Sequence, residues 1–295
     1  MDRTHHTASE GPIESSRRPD HGRRTPPQDR PVRPTVLSVL ERDVIPRLMN
    51  AHRSSLHASP QGGGSAVAAW ARVLDAAHVN ALVDLSLHGE AEQTRAFVMR
   101  LRDEGVPIES LYLDLITPAA RQIGAMWEAD TCDFVLVTLA LLRIQQVTYD
   151  LSPDFIGGGA EPSSRRIMVA PVPGSHHTLG SAMVADFFRR DGWDVLSSHD
   201  LSRADVLRLV RKEWFDVVAL SISAPGQLVL VTALISDLRK VSSNRGILVM
   251  VGGPLAQSVP DLAARVGADA VALDAKQAVD VAGRAVPVRR ASVAN

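Results

Sequence analysis

Two adjacent histidines, His176 and His177, sit in the run Pro-Gly-Ser-His-His-Thr-Leu-Gly that closes at Gly180. An apolar stretch, residues 167–172, leads into the run and an amphipathic stretch leads out of it. Strand-to-helix loops at the carboxyl ends of parallel strands are where open α/β sheets hold ligands, and a neutral imidazole is the commonest side-chain metal ligand. The same residues also read as a serine N-cap, Ser175, flanked by two surface imidazoles. Spacing favours the first reading. Ser221-Ile222-Ser223 ends a second apolar run and Gly252-Gly253 ends a third, so three motifs fall at three strand ends.

In a doubly wound sheet those ends share one edge, and ligands enter where the strand order reverses. Serine offers a small hydroxyl that lets a bulky group pass and still hydrogen-bonds it, while paired glycines let the backbone come close. A large ligand with a long buried tail uses both.

At these residues the chain resembles the cobalamin-binding domain family, whose pattern is Asp-x-His-x-x-Gly, then Ser-x-Leu, then Gly-Gly. Here the pattern reads Ser175-x-His177-x-x-Gly180, Ser221-x-Ser223 and Gly252-Gly253, with Ser175 and Ser223 departing from it. The resemblance implies that His177 replaces the cofactor's own base as lower cobalt ligand. It implies too that the displaced base lies beside Ser221, Gly252 and Gly253. Register with Gly180 picks His177 over His176, which faces solvent or touches a corrin side chain; His199 carries no motif. A carboxylate beside a ligand imidazole raises its basicity, so Ser175 in that place leans toward sensing rather than turnover.

The elements that must position these residues follow from periodicity. Five strands are expected at 166–172, 193–198, 216–223, 246–251 and 270–273, alternating with helices. Their near-continuous apolar runs suit strands buried on both faces of a parallel sheet. A receiver domain would need acidic residues where Val172-Pro173 and Ser221-Ile222-Ser223 stand, and neither a Gly-x-Gly-x-x-Gly fingerprint nor a phosphate-loop lysine is present. The fold class is therefore α/β: a helical bundle followed by a flavodoxin-like, Rossmann-like five-stranded parallel sheet. The expected division is a disordered arm at 1–35, a kinked helix and linker at 36–64, a four-helix bundle at 65–151, a flexible linker at 152–165, the sheet domain at 166–287 and a tail at 288–295.

In the bundle, helices end near His88 and Gly105, and two more span 108–130 and 133–150. Gly105 is a C-cap, Thr131 or Asp133 an N-cap, and Pro118 a kink. Gly124 makes room in a crowded helix. Trp127 on its own reads as core; by the resemblance, in which a bundle caps the upper corrin face, it lies over the cobalt. Photoreceptors that hold an adenosyl group carry Glu-His where this chain has Val137 and Thr138, which favours a hydroxo or aquo form.

Composition bounds the rest. The 295 residues suffice for about two domains and 45% apolar residues for real cores, and the net charge of -1 argues against nonspecific nucleic-acid binding by the whole chain. Cys132 is the sole cysteine, so no intrachain disulfide or thiolate cluster is expected and a buried inert thiol is the simplest reading. Residues 1–35 lack an export-type apolar run, the histidines His5, His6 and His21 there read as solvated, and no stretch reads as long enough to span a bilayer, so the expected setting is cytoplasmic. The segment 36–49, broken by Pro46, either docks on a partner or opens the next domain.

With the segment 44–53 added, the chain resembles the AerR/PpaA regulators of purple photosynthetic bacteria. That resemblance implies a cobalamin-binding, light- or redox-responsive antirepressor acting on a redox-responsive repressor of photosynthesis genes; direct DNA contact stays open. A corrinoid methyl carrier and a haem sensor of the same fold are the alternatives.

Overall fold

The computed structural model describes residues 74–287. The expectations for the arm, the segment with Pro46, the first linker and the tail lie outside the described residues.

Four helical runs make the bundle: α1 (Ala76–His88), α2 (Ala91–Asp103), a composite run of α3 (Ile108–Ser110), a π-helical segment (Leu111–Ile116) and α4 (Thr117–Glu128), and α5 (Phe134–Gly157). Asp75 caps α1 by accepting the His78 N–H at 3.1 Å, and Gly105 after α2 takes φ +93°, the left-handed region that favours glycine. Asp133 caps α5, accepting the Val135 and Leu136 N–H groups at 2.8 and 3.0 Å, while Thr131 turns its hydroxyl back to the Met126 carbonyl. The irregularity expected at Pro118 is a π segment just before it. Thr117 N–H reaches five residues back to the Tyr112 carbonyl, and the wide turn accommodates a proline that cannot donate. Gly124 has open space around it rather than crowding.

Two expectations fail in the next stretch. Helix α5 does not stop at Asp150 but runs through Pro153, because Leu151 and Phe155 on either side are buried in the bundle core and outweigh the lost hydrogen bond. With 24 residues it is long and apolar enough to cross a membrane by length and composition; here its Val137, Ala140, Ile144, Val147 and Leu151 face the bundle core. The linker beyond it is not loose. Ala160 and Ser163 donate to the Arg190 and Gly192 carbonyls at 2.7 and 2.6 Å, and Gly159 lies so close to Arg190 that a Cβ has no room.

The sheet is five-stranded and wholly parallel, in the order β2-β1-β3-β4-β5, with β1 (Arg166–Pro171), β2 (Asp194–Ser197), β3 (Val217–Ser221), β4 (Leu248–Gly252) and β5 (Ala270–Val271). Strand residues alternate between two cores. Met168, Val218 and Val249 pack on α7 (Arg203–Lys212), α8 (Leu228–Val241) and α9 (Leu262–Val266). Ile167, Val169, Val217 and Met250 pack on α6 (Leu179–Arg190) and α10 (Ala275–Ala285). Burial on both faces is why these strands read as continuous apolar runs.

Helix α6 is a shared wall. Ala185 and Phe188 face the sheet, whereas Met183 and Phe187 enter the bundle core. Tyr112, Phe155 and Phe187 meet there, with the Phe155 and Phe187 ring centroids 4.8 Å apart.

Candidate functional site

The strand order reverses between β1 and β3, so the loops leaving these two strands diverge and open a crevice at the carboxyl edge. Register brings the motifs onto that edge: Pro171, Ser221 and Gly252 occupy one rung. The Val172 N–H donates to the Ser221 carbonyl at 3.0 Å and the Ile222 N–H to the Gly252 carbonyl at 2.9 Å, which carries the order one residue past the strands.

The first loop turns at Gly174, φ +83°, and tucks Ser175 inward at 8% exposure. Its hydroxyl lies 3.2 Å from that of Ser223, bridging the crevice, and accepts the His177 backbone N–H at 3.4 Å. His176 and His177 are both exposed. Gly180 opens α6 with empty space where a Cβ would stand. The structure thus gathers Ser175, His177, Gly180, Ser221, Ser223, Gly252 and Gly253 as expected, and leaves His176 on the same loop.

The paired glycines have a different reason from the one expected. Gly253 takes φ +92°, and a Cβ there would run into Ser221 Oγ and the Ile222 backbone; one on Gly252 would press the Ala272 carbonyl. The close approach they permit is between the protein's own segments, and it seats Ser221 at the edge.

Trp127 is not core: it is 44% exposed at the end of α4, its ring 5.8 Å edge-on from that of Phe134. Phe134, Val135 and Leu139 at the start of α5 are exposed beside it. No hydrogen bond or ring contact joins Trp127 to the sheet edge among the described residues. At the edge itself, Val229 and Leu230 open α8 and Leu273 follows β5, all exposed, Val229 at 83%.

Sequence reasoning missed Gln227. Its Oε1 accepts the Ser223 and Ala224 N–H groups at 2.8 and 3.2 Å, holding the loop after β3. The available signal was a Gln following a Pro-Gly turn, the position from which a side chain reaches back to cap the preceding backbone.

Farther along α6, Asp186 is buried at 6% exposure and accepts from Arg189 at 2.9 Å and from Tyr112 at 3.4 Å. Burial pushes its carboxyl up from the ordinary value, against hydrogen bonds from Ser152 and Arg189 that pull it down. Burial likewise raises the Tyr112 and Tyr149 hydroxyls. His199, after β2, is held below the usual imidazole value by burial and then by the Arg189 charge. Asp186 and Tyr112 belong to the seam between bundle and sheet, whereas His199 lies just past the carboxyl end of β2.

The residues fit a metal that arrives with its own equatorial ligands. No group of three or more potential metal ligands exists among the described residues. What the edge provides is one exposed imidazole, His177, small hydroxyls and open space at Gly180, with apolar Val229, Leu230 and Leu273 exposed on the same edge. A macrocycle with an axial vacancy meets those terms; a bare ion does not.

Residues 165–282 match the model of the B12 binding domain. Over 173 residues the chain is 31% identical to the uncharacterized 20.5 kDa protein in the bchF-crtJ intergenic region of Rhodobacter capsulatus, a span of 57% of this chain and 88% of that protein. The fold is also similar to that of the monomethylamine corrinoid protein of Methanosarcina barkeri, at 17% identity and a TM-score of 0.62, covering 71% of this chain and 99% of that one. Fold and edge therefore define a Rossmann-like domain of the corrinoid-protein type behind a helical bundle. The chain belongs to the B12-binding domain family, in agreement with the resemblance read from its motifs.

Proposed function

We propose that the protein is a cobalamin-binding, light- or redox-responsive regulator of transcription, a cytoplasmic antirepressor that acts on a redox-responsive repressor of photosynthesis genes. The observation that carries the reading is the lower-ligand loop, in which exposed His177 donates its backbone N–H to a buried neutral Ser175 where the family pattern has a carboxylate. Turnover at cobalt profits from a carboxylate that stores and returns a proton; a sensor does not need one. The relative's gene, between bchF and crtJ, supports the photosynthesis connection that the AerR/PpaA resemblance implies.

His177 would hold the metal, Ser221 would hydrogen-bond the displaced base, and Trp127 with Phe134 would offer an apolar cover. Cobalamin, when bound, would supply a cobalt centre whose ligation responds to light and oxidation state. By the resemblance, Val137 and Thr138 stand where adenosyl-holding photoreceptors carry Glu-His and supply neither carboxylate nor imidazole, which favours the hydroxo or aquo form. Because α6 starts at the His177 loop and its far side is built into the bundle core, strain at the loop reaches the bundle through one helix. A partner that prefers one bundle arrangement then gains affinity by the same free energy that cofactor binding spends on it.

The test is the visible spectrum of the full chain incubated with hydroxocobalamin or haem and desalted, beside His177→Ala treated identically. Retained corrin absorption that His177→Ala shifts or abolishes supports the reading. Haem retention alone makes this a haem sensor. Transfer of a methyl group onto the bound cobalt by a methyltransferase would make it a corrinoid carrier.

A further inference from the structure

The loops that diverge at the crevice are tied together by a pair of hydroxyls. Ser175 is tucked into the loop after β1, Ser223 stands in the loop after β3, and their Oγ atoms lie 3.2 Å apart. Each is anchored to its own loop. The Ser175 N–H donates to the Val172 carbonyl at 2.8 Å, closing the turn at Gly174. The Ser223 N–H donates to Gln227 Oε1 at 2.8 Å, and that oxygen also accepts the Ala224 N–H at 3.2 Å. Both hydroxyls are neutral and Ser175 is buried, so the bond has the ordinary strength of one uncharged pair. That is enough to hold two short loops together and little enough for a ligand to break.

We propose that the Ser175 and Ser223 hydroxyls form a latch that closes the crevice in the cofactor-free protein and parts when a ligand with a tail is admitted. The proposal rests on the reading above, in which His177 on the first loop holds the metal and Ser221 at the end of β3 hydrogen-bonds the displaced base. The two ends of that site lie on the two loops that the hydroxyls join, so a ligand held at both has to run between them. A macrocycle without a tail meets only the first loop and leaves the bond alone. The cost of parting therefore falls on entry of the tail and not on contact with the ring. Helix α6 begins at Leu179, where the first loop ends, so opening the latch moves the start of the helix that the sheet shares with the bundle, and a bound tail biases that helix.

The experiment uses the full chain, the variants Ser175→Ala and Ser223→Ala and their combination, and two probes: hydroxocobalamin, and cobinamide, which keeps the corrin ring and its cobalt and lacks the base. Uptake is followed in the visible spectrum. Each single variant is expected to take up hydroxocobalamin about fivefold faster, the size of one neutral hydrogen bond, and the combination no faster than either, because one bond is lost only once. Cobinamide uptake is expected to match wild type throughout. In the cofactor-free protein, amide hydrogen exchange at 174–178 is expected to accelerate about fivefold in Ser223→Ala, although the substitution lies on the other loop. Wild-type exchange there, or hydroxocobalamin uptake at the wild-type rate in both single variants, overturns the latch and leaves the reading of the edge standing. So does a combined effect that multiplies the single ones, which would mean that the hydroxyls act separately, or an equal acceleration of cobinamide, which would mean that they guard the ring. A wild type that retains neither corrinoid overturns the reading of the edge and the latch with it.

Discussion

At the seam, Tyr112 and Phe155 are buried almost completely and Phe187 packs across them; at the carboxyl edge the corresponding places are taken by Ser175, Ser221, Gly252, Gly253 and two exposed histidines. One region is filled to capacity with large rings and the other is kept small and open. Both are attached to α6, which begins at the edge and continues into the seam. The difference teaches that stability and recognition have been separated along a single helix: damage at the seam should unfold the protein, whereas damage at the edge should leave it folded and unable to hold a ligand.

The strongest way to break that division is Phe155→Ala, which opens a cavity among Tyr112, Phe187 and the Arg190 guanidinium that lies 4.4 Å from its ring. A loss of about 3–5 kcal/mol in urea denaturation is expected, the usual cost of emptying an aromatic core site. A loss below about 1 kcal/mol would mean that bundle and sheet do not lean on each other here.

Next in size is a pair of glycines at the edge. Gly253→Ala forces a side chain into the left-handed region and against Ser221, so a loss of about 1–3 kcal/mol is expected. Gly180→Ala meets nothing and should change stability by less than about 0.5 kcal/mol while weakening corrin retention after desalting. Equal effects on stability would erase the distinction between a glycine the fold needs and one the ligand needs.

Tyr112→Phe sharpens the seam. It removes a hydroxyl that donates to the Thr148 carbonyl at 3.0 Å and faces Asp186, and a loss of about 1–2 kcal/mol by thermal or urea denaturation is expected for a buried acceptor left short of a donor.

The edge was legible because its punctuation is local: glycines, serines and histidines that follow apolar runs declare strand ends whatever the rest of the chain does. The β1–β3–β4 rung followed from that. What escaped depends on partners distant in sequence or on turn geometry. Pro153 inside α5 is tolerated only because Leu151 and Phe155 are buried, and the 158–165 connection is pinned by Arg190 and Gly192, which no local pattern discloses. Gln227 matters because a short 3-10 turn, Pro225–Gln227, folds it back onto the loop. For Trp127, periodicity alone reads core and the resemblance reads an open face; its 44% exposure rules out the first of these.

The smallest effects concern pH, and they test whether the polar groups around Arg189 are as closed off as the seam's rings. Asp186 is raised above the ordinary 3.8, so its contribution to stability is complete below that value and fades as pH climbs through the folded one. His199 is lowered below 6.5, so its contribution is complete above that value and fades as pH falls through the folded one. Arg189 faces both, favouring the charged carboxylate and disfavouring the charged imidazole, and burial opposes charge on each. Asp186→Asn should therefore flatten the alkaline decline of the urea midpoint that begins above about pH 4, and His199→Gln the acid decline that begins below about pH 6.5. The slope is the readout rather than the offset, because Asp186→Asn also loses the Arg189 pair at every pH. Curves that run parallel to wild type would show that water reaches both groups, and that burial around Arg189 is confined to the aromatic rings.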